Sequence, residues 1–124
     1  MAAETTTFTP IELWAGNVSE DRRPVTVKAG QNLAANTLVM SDSAGKIVAH
    51  DGAYANKVAG VLIYAVDATA ADTAGAVYKD GDFIGDKIVW PATIGGGAVT
   101  DLLKQKLLEG VEIYATFYPA GAIA

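Results

Sequence analysis

The sequence contains no cysteine and a single histidine, His50, among its 124 residues. Disulfide bonds and cysteine-ligated zinc sites are therefore excluded. Charged side chains make up only 19% of the chain, and the net charge is −5. Basic residues form no cluster beyond Arg22 and Arg23. Because nucleic-acid binding depends on neutralising several phosphates, we expect no nucleic-acid partner.

Long apolar runs are also missing. The longest covers residues 58–66, well short of the roughly 18 residues that indicate a transmembrane helix, so we expect no membrane association. Residues 1–7 have neither a basic start nor an apolar stretch, which predicts no signal peptide and synthesis in the cytoplasm. A small chain that is 51% hydrophobic must cover apolar surface, and a subunit or partner interface is the natural place for it.

Residues 1–24 are predicted to form a flexible N-terminal arm. They contain a threonine run at residues 5–7, the isolated aromatics Phe8 and Trp14, and a proline near each end, Pro10 and Pro24. Neither helical nor alternating periodicity persists there, so the segment cannot bury enough surface to order itself. Thr-rich extended sequence is nevertheless suited to joining the edge of another sheet.

From residue 25 onward the pattern is one of short strands separated by turn signals. Strands are predicted near residues 25–28, 37–40, 46–50, 58–66, 86–90 and 111–117, with a hairpin-like reversal at 75–84. The sequence predicts one helix, with Thr100 as its N-cap and Gly110 as its stop. Val99, Leu103 and Leu107 share its apolar face, widened by Leu102 and Leu108, while Lys104 and Gln105 face outward. The fold class is therefore mainly β with one helix (α+β).

Three patterns are candidates for chemical sites, and none is favoured. His50 and Asp51 offer a base and a carboxylate, but neighbouring residues on a strand point to opposite faces. Asp80, Asp82 and Asp86 lack the calcium-loop spacing and indicate a solvated turn. The glycines at 95–97 precede a helix without a P-loop lysine, which indicates a linker. We therefore predict that the chain is not an enzyme and binds no cofactor or metal.

Four stretches are recognisable in order and spacing: KIVAHDG (46–52), VAGVL (58–62), YKDGDF (78–83) and VWP (89–91). Together with the start of the chain from Glu4 to Thr9, this set resembles the head decoration protein family of lambda-like tailed bacteriophages. The likeness is close over residues 46–91 and looser elsewhere. The sequence departs from the family at His50, where a bulkier aromatic is expected, and in a C-terminal tail that resembles an extension.

The resemblance implies a β-clip-like small domain, with residues 25–124 forming trimers and residues 1–24 serving as the capsid-binding arm. It implies a position outside the expanded capsid of a virion made in a bacterial host, and stabilisation of that shell against DNA packaging pressure. The arm would pair with a strand of the major capsid protein. The residues expected to make this contact are Thr5, Thr6, Thr7, Phe8, Thr9 and Trp14.

Two other functions remain open from the residues alone. A small ligand- or glycan-binding β-module would use a surface aromatic such as Tyr54, which lies near a turn, as a stacking platform. A hydrolase would use His50 as its base.

Overall fold

The computed structural model describes residues 13–118, and within this range the fold is mainly β with one short helix, as predicted. The β-clip-like arrangement stays a prediction. In chain order the strands are β1 (Arg22–Val27), β2 (Asn32–Leu33), β3 (Leu38–Ser41), β4 (Ile47–Ala49), β5 (Val58–Leu62), β6 (Val66–Asp67), β7 (Thr73–Tyr78), β8 (Gly81–Ile84) and β9 (Ile113–Thr116). The helix α1 (Asp101–Leu107) lies between β8 and β9 in the chain.

Five of the strands close into a barrel in the order β1-β4-β3-β5-β7. The longest pairing joins β1 and β7, antiparallel from Arg22 opposite Tyr78 to Val27 opposite Thr73. A parallel pair between Val27 and Ile47 closes the ring between β1 and β4. The barrel and the adjoining β2–β6 pair enclose an aliphatic core, whose buried members are Val27, Leu33, Val39, Ile47, Leu62, Val66, Ala68 and Val77.

A second core lies between the barrel, α1 and a small parallel sheet formed by β8 and β9. Its buried side chains include Phe83 and Ile113 from the sheet and Leu107 and Leu108 from the helix end. Partly buried aromatics pack around this core. The small sheet is therefore held to the barrel by a mixed aromatic and aliphatic layer.

The predicted reversal at residues 75–84 does not form a hairpin. Strand β7 pairs with β1 and β5, whereas β8 pairs with β9. Lys79 donates its backbone N–H to the Asp21 carbonyl (2.7 Å), and Gly81 adopts φ +126°, a conformation that favours glycine. The chain therefore leaves the barrel after Tyr78 rather than folding back on β7.

Two predicted strands also differ from the structure. Residues 58–66 divide into β5 and β6, with Tyr64 70% exposed between them. Within residues 86–90, the chain begins in a 3-10 turn (Gly85–Lys87), and only Val89 makes a strand-like bridge, to Thr37. Continuous apolar sequence did not distinguish a buried strand from a strand followed by an exposed corner.

The predicted helix is confirmed. The Thr100 hydroxyl accepts a hydrogen bond from the Leu103 backbone N–H (3.2 Å), the interaction expected of an N-cap. Gly110 follows the helix with φ +85°. The predicted faces were partly wrong, because Leu102 is 75% exposed while the Lys104 side chain is only 15% exposed.

The glycines at 95–97 form a tight turn rather than an open linker, since the Ile94 carbonyl accepts from the Gly97 N–H (3.1 Å). No helix between residues 13 and 118 is long and apolar enough to cross a membrane.

Candidate functional site

The first described residues lie along β8 as an additional edge segment. The Leu13 carbonyl accepts from the Ile84 N–H (2.7 Å), the Ala15 N–H donates to the Asp82 carbonyl (2.8 Å), and the Asn17 carbonyl accepts from the Asp82 N–H (2.9 Å). Residues 13–17 therefore run antiparallel to β8. We call the resulting arrangement of residues 13–17, β8 and β9 the end sheet.

Trp14 attaches this segment to the body of the protein. Its ring lies 4.6 Å from the Phe83 ring and 5.0 Å from the Tyr78 ring, measured between centroids. A Cβ atom on Gly81 would come within 2.7 Å of the Trp14 ring, so only glycine leaves room for the indole there. Trp14 therefore packs on its own domain instead of projecting from it.

The remaining residues predicted for the capsid contact are Thr5, Thr6, Thr7, Phe8 and Thr9, and they lie outside the described residues. The structure thus separates the predicted set into Trp14, which is part of the folded body, and five positions for which the contact stays a prediction.

The Asp80 carboxylate anchors residues 19–21, which lie between Trp14 and β1. Asp80 accepts hydrogen bonds from the Ser19 hydroxyl (2.7 Å) and from the backbone N–H groups of Glu20 (2.9 Å) and Asp21 (3.0 Å). The Ser19 hydroxyl, followed by the backbone donors, holds the pKa of the Asp80 carboxyl below its ordinary value. Ser19 is itself buried.

These contacts move the boundary between arm and body. The predicted boundary at residue 24 falls inside β1, and residues 13–21 are hydrogen-bonded to β8 and to the turn before it. Sequence reasoning missed this because the partners are about sixty positions apart, and a local pattern contains no signal for them.

At the other side of the end sheet, the Phe117 ring packs directly over a second glycine, Gly85. A Cβ atom on Gly85 would collide with the Phe117 ring. The Trp90 ring lies 6.1 Å from the Phe117 ring, and the Trp90 indole N–H donates to the Gly85 carbonyl (2.8 Å). The Lys104 ammonium lies over both rings, 5.4 Å from Trp90 and 5.2 Å from Phe117. This arrangement explains why Lys104 points inward.

His50 has a structural role in the described fold. The side chain is buried, its Nδ1 accepts a hydrogen bond from the Gly52 N–H (2.9 Å), and its Nε2 lies 2.7 Å from the Asn56 carbonyl. One neutral tautomer, with the proton on Nε2, satisfies both contacts. A buried base with both nitrogens occupied is poorly placed for catalysis.

The exposed Tyr54 ring is partly engaged by its own protein. The Lys106 ammonium lies 4.7 Å from the centre of its ring, and Gly95 packs against the ring edge.

Two of the three aspartates of the calcium hypothesis accept hydrogen bonds from protein donors. Asp82 accepts from the Thr116 hydroxyl (2.9 Å), and Asp80 accepts from the Ser19 hydroxyl (2.7 Å). Among residues 13–118, no group of three or more histidine and acidic side chains is arranged to hold a metal ion.

Comparison with known families gives a match over most of the chain. The family model described as bacteriophage lambda head decoration protein D matches residues 4–108. The match begins before the predicted contact residues, includes the whole barrel, β8 and α1, and ends ahead of β9. No curated protein matches the chain significantly.

Proposed function

The chain belongs to the family of bacteriophage lambda head decoration protein D, and from this premise we propose that it binds the outside of an expanded phage capsid as a homotrimer. In this proposal it is a structural protein rather than an enzyme, made in the cytoplasm of a bacterial host and carried on the virion exterior. Its binding stabilises the shell against the pressure of packaged DNA.

The observation that carries the proposal is the family match from residue 4 to residue 108. It spans the Thr-rich segment together with the folded body, so the proposed capsid contact and its support belong to one family pattern. The resemblance found in the sequence rested on four short stretches between residues 46 and 91 and on the start of the chain from Glu4 to Thr9, and the match also covers the residues between them and continues to residue 108.

The proposed contact is strand addition by the arm. Residues Thr5, Thr6, Thr7, Phe8 and Thr9 would pair with a strand of the major capsid protein, and main-chain hydrogen bonds would supply most of the affinity. Because residues 13–17 are held on β8, only residues before Leu13 can extend from the body, and the sequence gives twelve of them. Fully extended, these reach at most about 40 Å.

Avidity would allow three weakly binding arms to give the trimer a high overall affinity for the shell. Three arms on one trimer make the second and third binding events intramolecular, which raises the overall affinity without new contacts. A ligand that binds the expanded shell and not its precursor stabilises the expanded state by mass action. The chain carries a net charge of −5, which is the wrong sign for binding packaged DNA.

The test is to mix the purified protein with expanded heads that lack decoration and to image them by electron cryomicroscopy. We expect density for trimers on the outer surface, and decorated heads should resist heating that opens undecorated ones. A variant lacking residues 1–12 should keep its fold, because Leu13 and Trp14 retain their contacts, but should no longer decorate the heads. Bare heads with the full chain, or a monomer by sedimentation at micromolar concentration, would contradict the proposal.

A further inference from the structure

The barrel carries an open cavity beside β1. Strands β1 and β4 meet at one residue pair, Val27 with Ile47. Residues 23–26 of β1 and residues 44–47 line a cavity of about 670 Å³, which we call the slot. The charged residues that line the slot are Arg23, Lys46, Lys79 and Asp72. Cations therefore outnumber carboxylates there, although the chain as a whole is acidic.

The side of β9 that faces away from β8 borders a second cavity, of about 520 Å³, which we call the groove. Its apolar lining residues are Leu108, Val111, Ile113 and Ala115, and its charged lining residues are Glu109 and Glu112. No strand within residues 13–118 pairs with β9 on this side. An unpaired strand edge in apolar surroundings is typical of a surface that a partner covers.

The slot and the groove are neighbouring surfaces. A smaller cavity of about 280 Å³ is lined by Lys79, which also lines the slot, and by residues 110–113, which also line the groove. In a cyclic trimer each subunit presents two different surfaces to its two neighbours. Because these two surfaces adjoin at the threefold axis, adjacent positions of slot and groove suit such a ring.

The charges determine which of these surfaces can face each other. Two grooves placed together would oppose Glu109 and Glu112 to their own copies, and two slots would oppose cations to cations, so both contacts are unfavourable. A groove against a slot brings carboxylates to cations around apolar lining residues on both sides, which is the usual composition of a subunit interface. The chain therefore carries a complementary surface for its own groove.

Lys79 is the cation of the slot with the least compensation from its own chain. Arg23 and Lys46 lie beside the carboxylates of Asp21 and Asp72. The Lys79 ammonium donates instead to the neutral Ala59 carbonyl (2.8 Å). Its charge is therefore the most available to a carboxylate of a second copy.

We infer that the groove of one copy packs on the slot of the next, with Glu109 and Glu112 facing Arg23 and Lys79, and that this head-to-tail contact builds the trimer. The inference rests on the proposed function, because it assigns residues to the proposed trimer. Residues 13–17 lie on the other side of β8 from β9 and line neither surface. The residues before Leu13 therefore stay available to the shell.

The experiment measures the oligomeric state of charge-reversal variants by sedimentation at micromolar concentration. One double variant, Glu109→Lys with Glu112→Lys, makes the groove cationic, and the other, Arg23→Glu with Lys79→Glu, makes the slot acidic. We expect each to self-associate at least about tenfold more weakly than the full chain, because like charges then face each other. The variant with all four changes should form the trimer again.

The matched control is Lys87→Glu, which reverses an exposed lysine that lines neither surface and should remain trimeric. Circular dichroism of every variant first establishes that its fold is kept. Should a charge reversal unfold the chain, Glu109→Gln with Glu112→Gln replaces it. Added salt should then weaken the trimer of the full chain more than that of the neutral variant, and equal salt dependence would overturn the inference.

The outcomes separate the two proposals. If the full chain is a trimer and both double variants remain trimers, the assigned contact is wrong and the proposed function stands. If the full chain is a monomer, both fail. If the double variants stay trimeric but no longer decorate expanded heads, these surfaces bind the capsid and the subunit contact is overturned. If both double variants dissociate and the fourfold variant does too, the two surfaces do not face each other.

Discussion

The barrel and the end sheet are built on opposite principles. The barrel is a closed ring of five strands around an aliphatic core, and closure removes the free edges that invite unwanted pairing. The end sheet is small, combines parallel and antiparallel neighbours, and depends on aromatic rings seated on glycines. Both described ends of the chain belong to it.

The difference indicates a division of labour. Aliphatic side chains in a closed barrel supply stability that does not depend on a partner. The end sheet determines where Leu13 and Thr116 lie, and therefore where the chain leaves the body on each side. Changes in the barrel should therefore alter stability alone, whereas changes in the end sheet should also alter how the chain ends are held.

The largest effect is expected in the barrel core. Leu62 is fully buried, and Leu62→Ala should lower the free energy of unfolding by about 3 kcal/mol, since such substitutions lose transfer energy and leave a cavity. Leu102→Ala makes the same chemical change at an exposed position and should alter it by less than about 0.5 kcal/mol. Urea denaturation measures both, and equal effects would contradict a packed core around Leu62.

An intermediate effect is expected at the Trp14 attachment. Gly81→Ala combines a positive φ with a collision between the new Cβ and the indole, and we expect a loss of about 2–3 kcal/mol. Gly45→Ala is the matched control, because Gly45 also has a positive φ (+84°) but open space around its Cβ; it should cost about 1 kcal/mol.

Trp14 fluorescence in a Trp90→Phe background distinguishes the mechanism. In Gly81→Ala the Trp14 emission should shift to longer wavelength, because the indole can no longer pack against residue 81 and becomes exposed to water. Limited proteolysis should then begin to cut near residue 14. Unchanged emission would mean that the indole does not depend on Gly81.

The smallest effect is a pH dependence at Asp80. Its folded-state pKa is lowered, chiefly by the Ser19 hydroxyl and then by backbone donors, so its contribution to stability is present in full above the ordinary aspartate pKa of about 4. That contribution is lost as the pH falls through the lowered folded-state pKa. Asp80→Asn should therefore show a smaller decrease in melting temperature between pH 7 and pH 3 than the full chain does.

Asp86→Asn, at an exposed aspartate of the neighbouring turn, is the control for Asp80→Asn. It should follow the full chain in the same pH series. If the melting temperatures of Asp80→Asn and of the full chain changed equally with pH, the hydrogen bonds of Asp80 to residues 19–21 would not stabilise the fold.

Local patterns predicted local structure well. Thr100 was identified as an N-cap because a hydroxyl ahead of an apolar periodic segment satisfies backbone donors that the helix leaves free, and this interaction needs no distant residue. The strands near residues 25–28, 37–40 and 46–50 were predicted from short apolar or alternating runs bounded by turn residues, which are also local signals. The predictions failed where pairing partners were distant, as in β8, which joins β9 about thirty positions later instead of β7.

The sequence by itself determined the fold class, the helix with its cap, the absence of disulfide bonds and the family resemblance, because each depends on composition or on residues close in the chain. Only the tertiary structure decided where the body begins and how its ends are held. Trp14 is seated by Gly81 and Phe83, Ser19 by Asp80, and Phe117 by Gly85 and Trp90. These contacts join positions far apart in the chain. The physical reason is steric, because a glycine can pack against an aromatic ring only after the fold has brought the two together.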